Sequence, residues 1–335
     1  MTIQGFRAAP LSDNIIRALI SATQAYAELN VLVAEYPEMM LLLSDMLLAL
    51  DVYYQHYDAQ PNISDVSRAL FIPDETSMSG RSISAFQNCM AYAKSKTTMT
   101  EVLTAGDVLK MSYAISADDE RINLLDMNLA GHEQLIEHIW SILHDLYSPQ
   151  RQYPLLLEAA IAVLRLLALP KTTAASLQAL TILLSTVCQN ELASYGLARQ
   201  WTLSTDPRVH ISSVETSDAL AQILEVFRSM WAYTTTLVRT INQKKGEIYQ
   251  AVSVVLPQYS STCFGQILSE TLCIRNRDIS ERLDLSQKTA TKYLKQLEQN
   301  RILRSVKNWR EVLYFNNLLI DVLHEQVSRN SAYGA

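Results

Sequence analysis

Apolar residues recur with the period of the α-helix along most of this chain. Between residues 11 and 57 they fall at three- and four-residue steps (Ile15, Leu19, Ala22, Tyr26, Leu29), and Pro37 separates this first helix from a second. The second helix, from about Glu38 to Tyr57, is nearly apolar around residues 39–43, so it belongs in a core. Residues 58–80 hold Pro61, Pro73 and Gly80 among many small polar residues and read as a long connection with a short helix. Residues 82–94 and 105–116 are two further amphipathic helices, and 118–128 is a polar, exposed stretch. Three strong helices follow at 131–147, 153–169 and 174–190, separated by Pro149, Pro154 and Pro170. Residues 191–212, with Gly196 and Pro207, read as irregular. A long helix then runs from Val214 to about Asn242, followed by another to about Val255, and Pro257 with the Ser260–Ser261 pair marks a domain boundary.

Beyond that boundary the rhythm changes. Residues 262–272 place Phe264, Ile267, Leu268 and Leu272 on one helical face. Ile279 and Leu283 stand one turn apart on a short helix, and Asp284–Leu285 form a tight turn. Ser286 suits the N-cap of the next helix, because its hydroxyl can accept from an orphan backbone N–H. In that helix Ala290, Tyr293, Leu294 and Leu297 follow i, i+3, i+4, i+7 and point inward, while Gln287, Lys288, Thr289, Thr291, Lys292 and Lys295 lie off the stripe. Asn300 closes it as the residue expected to turn left-handed. Residues 302–306 and 312–315 then read as two short strands around a turn at 307–311, and 317–327 as a closing helix.

The pattern is that of a winged helix-turn-helix, with two departures. Asp284 stands where the tight turn usually holds Gly, and Ser280 where a small Ala often faces the next helix. The predicted fold class is therefore mainly α, a multi-helical N-terminal domain (residues 1–257) followed by a winged helix-turn-helix with a short β-hairpin (residues 260–328).

Charge then changes the picture. The net charge of −6 argues against a nucleic-acid partner until it is resolved along the chain. Between residues 275 and 310 ten basic residues stand against Asp278, Glu281, Asp284 and Glu298, a net +6 that leaves −12 on everything else. An acidic body with one basic patch repels phosphate everywhere except at the patch. A helix fits the major groove with the polar side chains of its N-terminal half at the base edges. The sequence thus assigns a double-stranded DNA interface to Gln287, Lys288, Thr289, Thr291, Lys292 and Lys295, with Lys307, Arg310 and Trp309 on the wing. A protein-docking module is the alternative use of such a domain.

The order of helices followed by residues 279–315 resembles the longer bacterial members of the Fic (filamentation induced by cAMP) family. That resemblance implies a helical catalytic core whose HPFxxGNGRxxR-like loop supplies a proton-accepting His and a Gly-rich phosphate cradle. The matching connection here reads LLALPKTTAASLQAL, with no His, Gly or Arg between Leu166 and Leu180, and the family's inhibitory [ST]xxxEG-like motif is not recognisable. No catalytic residue carries over. A Fic-related AMP-transferase with a divergent loop stays as the alternative from another class.

Other chemistry is not signalled. His132 and His138 are six apart, where a zinc-protease helix needs four, and they read as histidines on an exposed helix face. With eight glycines and no GxxxxGK[ST], GxGxxG or GxSxG, a phosphate-cradling loop is hard to build, so no enzyme activity and no cofactor are expected. Cys89, Cys188, Cys263 and Cys273 lack a CxxC pair and read as buried small hydrophobes in a reducing compartment. The first residues, MTIQGFRAAPLSDN, show no secretion signal, and no apolar run is long enough to span a membrane, so a cytoplasmic protein is expected. The reading is a DNA-binding transcriptional regulator whose helical body serves dimerisation or sensing. The stripe Leu220, Ile223, Leu224, Phe227, Met230, Trp231, Thr234 and Leu237 is either the surface of a homodimer or part of the chain's own core.

Overall fold

The computed structural model describes residues 11–37, 42–44, 46–47, 49–50, 66, 70–71, 78–98, 102–116, 129–167, 177–188, 216–257, 261–308 and 311–332. The expectations for 118–128 and 191–212, and for the connection around Pro170 and Lys171, lie outside these residues. The chain is mainly helical with a small three-stranded antiparallel sheet near its C-terminus.

Seven helices form the N-terminal part as described: α1 (Asp13–Glu35), α2 (Met78–Thr98), α3 (Ala105–Ser116), α4 (Glu133–Tyr147), α5 (Leu155–Leu167), α6 (Leu177–Cys188) and α7 (Thr216–Val255). Ser12 caps α1 by accepting from the Ile15 N–H. Helix α5 is apolar almost all round, and it is accordingly central, touching α1, α4, α6 and α7. Its one cation, Arg165, is matched by Asp145 of α4 at 2.7 Å and donates to the Ser141 hydroxyl. Among the described residues no helix is long and apolar enough to cross a membrane.

The long partner pair is α1 and α7. Tyr26 meets Trp231 at 5.1 Å between ring centroids, Glu28 pairs with Arg239, and the Lys245 ammonium lies 5.9 Å from the centre of the Tyr36 ring. The contacts advance in the same direction along both helices, so α1 and α7 run parallel. Leu220, Ile223, Leu224, Phe227, Met230, Trp231, Thr234 and Leu237 are all buried inside this one chain. The stripe predicted as a dimer surface is core, because it lies against α1 and α5.

Two expectations about α7 and its surroundings need correction. The predicted break near Asn242 is absent, and α7 is one helix of 40 residues. Gln243, Lys244, Lys245 and Gly246 look like an interruption, yet Ile241, Ile248, Val252 and Leu256 carry the buried stripe past them. The stem of Lys245 fills the gap over Tyr36, and Lys244 pairs with Glu247 at 2.8 Å. Gly246 costs about 1 kcal/mol in a helix interior and is outweighed. The cysteines divide: Cys89 and Cys188 are buried, their thiols pushed up to about 12 by burial, but Cys263 is exposed.

The C-terminal part comprises α8 (Ser261–Ser269), β1 (Cys273–Arg275), α9 (Asn276–Arg282), α10 (Gln287–Gln299), β2 (Leu303–Asn308), β3 (Glu311–Asn316) and α11 (Asn317–Ala332). The predicted pair of strands gains a third: β1 pairs with β3, giving the order β1-β3-β2 with Ile274 opposite Tyr314 and Val306 opposite Leu313. Strand β1 lies in residues to which the sequence assigns no element, between the helix predicted at 262–272 and the next. The hairpin is also tighter than expected, with Asn308 facing Glu311 so that Lys307 lies in a strand.

Contacts among the described residues fasten this part to the rest. Helix α7 packs along α8 and touches α10 and α11. The Tyr249 ring occupies the space that a Cβ at Gly265 would need. Phe71 meets Phe315 edge-on at 6.0 Å. Inside, Asn316 is 1% exposed and joins three elements. Its amide donates to the Leu268 carbonyl at 2.6 Å, its carbonyl accepts from the Leu319 N–H, and its backbone N–H donates to Leu272. Replacing it leaves a buried carbonyl and a helix N-terminus without partners, worth about 1–3 kcal/mol for the carbonyl alone. Asn316→Ala is expected to lower unfolding stability by about 2–3 kcal/mol in a urea titration, whereas an exposed control such as Gln250→Ala changes it little.

Candidate nucleic-acid interface

The candidate interface is built on α10, and both ends of that helix are pinned by backbone geometry. At the front, α9 is followed by Asp284 with φ of 49°, and the Leu285 N–H donates back to the Ser280 carbonyl at 3.0 Å. Asp284 thus adopts the left-handed conformation that the tight turn needs. Ser280 supports the same turn, its hydroxyl donating to the Leu285 carbonyl. Ser286 then caps α10, accepting from the Thr289 N–H at 3.2 Å.

At the back the sequence expectation shifts by one residue. Asn300 has φ of −91°, and the left-handed residue is Arg301 at 60°. The Ile302 N–H donates to Leu297 and the Arg301 N–H to Glu298, the paired bonds of a Schellman ending, with Ile302 and Leu297 both buried. Apolar Ile302 must turn inward to start β2, which forces the residue before it, rather than Asn300, into the left-handed region.

Between these ends α10 buries Ala290, Tyr293, Leu294 and Leu297. At 100° per residue the opposite line of the helix holds Lys288, Lys292, Lys295 and Gln299, and all four are exposed. Gln299 was not singled out from the sequence, although its i+4 position after Lys295 places it on that line. Gln287 is exposed at the first turn, as expected. Thr289 and Thr291 have other engagements. The Thr289 hydroxyl meets the Ser286 hydroxyl at 2.8 Å inside the cap. The Thr291 hydroxyl donates to the Gln287 carbonyl and accepts from the Asn276 amide at 2.7 Å, which ties α9 to α10.

The hairpin is fixed to the same helix, because Glu298 accepts from both the backbone N–H and the hydroxyl of Ser305. Lys307 is exposed two residues further along β2. Arg304 turns over the Phe315 ring at 5.6 Å instead of extending outward. Trp309 and Arg310 lie outside the described residues.

Four acids of this part are engaged away from the lysines, while Asp284 is exposed in the turn before α10. Asp278 accepts from the Arg275 N–H, Glu281 pairs with Arg277 at 3.2 Å, Glu311 with Arg275 at 3.7 Å, and Glu298 holds Ser305. Among the described residues Lys288, Lys292, Lys295 and Lys307 have no ion-pair partner. The face is basic.

No protein family and no curated protein matches the chain. The reading of this surface therefore rests on its own geometry.

Elsewhere the geometry holds less chemistry. His132 is half-buried beside Tyr113, 5.4 Å between ring centroids, and precedes α4 rather than lying on an exposed helix face. His138 is exposed, its Nδ1 2.7 Å from the Gln134 carbonyl. Among the described residues no group of three potential ligands could hold a metal ion.

Two substitutions test the framing of α10. Asp284→Gly removes a left-handed side chain that costs roughly 1–2 kcal/mol, offset in part by the greater freedom of Gly in the unfolded chain. It is expected to stabilise the protein by about 0.5–1 kcal/mol. Ser286→Ala is expected to destabilise it by about 1 kcal/mol through loss of the cap. Denaturant midpoints of the two variants, moving in opposite directions from the parent protein, check both.

Proposed function

We propose that residues 261–332 form a winged helix that binds double-stranded DNA, with α10 as the recognition helix and the β2–β3 hairpin as the wing. The observation that carries the reading is the line Lys288, Lys292, Lys295 and Gln299. It lies opposite the buried stripe of a helix pinned at both ends, and no ion pair among the described residues engages its lysines. Three cations and an amide on one rigid helix face suit a groove walled by phosphates, where lysine pairs with phosphate and glutamine can pair with a base edge. Gln287 supplies a second amide at the N-terminal end, the part of a recognition helix that reaches bases. Thr289 and Thr291 hold the helix in place, so they position the contacts rather than make them.

The body, residues 1–257, carries 26 acidic against 17 basic residues, a net −9; it repels phosphate and orients the approach so that only this part meets the duplex. The reading is of a cytoplasmic transcriptional regulator that acts by binding, with no catalytic step and no cofactor. Because the α7 stripe is interior, a homodimer needs another surface.

Changing both Lys288 and Lys292 to Ala removes two phosphate contacts. Fluorescence anisotropy on duplex DNA should show weaker binding, and the slope of log affinity against log salt should fall by roughly 1–2, about 0.9 per contact. Stability should stay within about 0.5 kcal/mol of the parent, since both positions are exposed. A folded double variant that binds duplex DNA as tightly as the parent would overturn the assignment of this face.

A further inference from the structure

Helix α1 has a second line, largely apolar, whose side chains are exposed. Its inner face (Ile15, Ala22, Leu29 and Leu32) is buried. On the opposite side Ile20, Gln24, Ala27, Val31 and Ala34 are all exposed, Ile20 by 53% and Val31 by 66%. The steps between them are four, three, four and three residues, the spacing of a coiled-coil seam rather than of scattered surface residues. Arg17 continues the line three residues before Ile20 and has no ion-pair partner among the described residues.

We infer that this seam is where a second copy of the chain docks, α1 against α1 in antiparallel orientation about a two-fold axis between Gln24 and Ala27. The occupant follows from complementarity. With that axis, Ile20 faces the partner's Val31 and Gln24 faces the partner's Ala27, so each large side chain meets one of suitable size. Arg17 lies over the partner's Ala34, and its guanidinium reaches the partner's Glu35, twice by symmetry. A parallel pairing would instead put Arg17 beside Arg17 and Glu35 beside Glu35, which like-charge repulsion disfavours. Gln24 can bond across the seam and hold the register, the use to which a single polar residue is put at such positions. The inference stands apart from the DNA-binding reading, and it supplies the self-association surface that α7 does not.

The test is sedimentation equilibrium on the full chain without DNA at tens of micromolar, so its outcome does not depend on nucleic-acid binding. The parent protein is expected at twice the 37.7 kDa of one chain. Ile20→Glu with Val31→Glu should return it to the mass of one chain with unchanged far-ultraviolet circular dichroism, since both residues are exposed. A milder variant guards against misfolding: Arg17→Glu alone should weaken the dimer, and Glu35→Arg added to it should restore the association. A parent protein at the mass of one chain overturns the inference, as does a dimer that survives the double Glu change. A charge swap that restores nothing overturns the antiparallel register.

Discussion

Burial of Ala290, Tyr293, Leu294 and Leu297 fixes the rotation of α10, and the candidate surface follows from that one constraint. Turning the helix by a single residue would bring a lysine under the sheet and expose Leu294. An unpaired buried charge costs several kcal/mol, and exposing a leucine forfeits roughly 1.5–3 kcal/mol. The two left-handed residues, Asp284 and Arg301, lock the helix ends, and Glu298 locks the hairpin to it. Lys288, Lys292, Lys295 and Gln299 therefore point outward as a rigid set. Pre-organisation of this kind lowers the entropy lost on binding.

The same rigidity extends into the body. Helix α7 begins in the core around Phe227 and Trp231 and ends against α8, with Tyr249 seated on Gly265. Because a Cβ at residue 265 would strike that ring, the crossing depends on a glycine. Phe71 against Phe315 adds a second tie. Whatever alters the packing of α1 on α7 is thus connected to the basic face by one continuous helix.

What was legible in the sequence was whatever local chemistry decides. The stripe of α10, its Ser286 cap and the strained turn at Asp284 are each specified within a few residues, and each was read correctly. Strand β1 was not, because three residues after a helix become a strand only when β3 lies beside them. The continuity of α7 was hidden by Gln243–Gly246, whose polarity looks like a break until Tyr36 is seen under Lys245. Periodicity shows that an apolar stripe has a partner and not which one, so the α7 stripe was open between self and second copy. The outer seam of α1 escaped notice because its inner stripe already accounted for the helix. The left-handed position moved from Asn300 to Arg301 because burial of Ile302 outweighs the intrinsic preference of asparagine.

The most direct test of the central claim is lysine-reactivity footprinting by mass spectrometry, with the full chain labelled by an amine-reactive reagent in the presence and absence of duplex DNA. Lys288, Lys292 and Lys295 are expected to be protected by the duplex, while Lys94, exposed on α2 of the acidic body, reacts equally in both conditions. Protection of Lys94 with none at Lys288, Lys292 and Lys295, or no protection at any of them, would contradict the account.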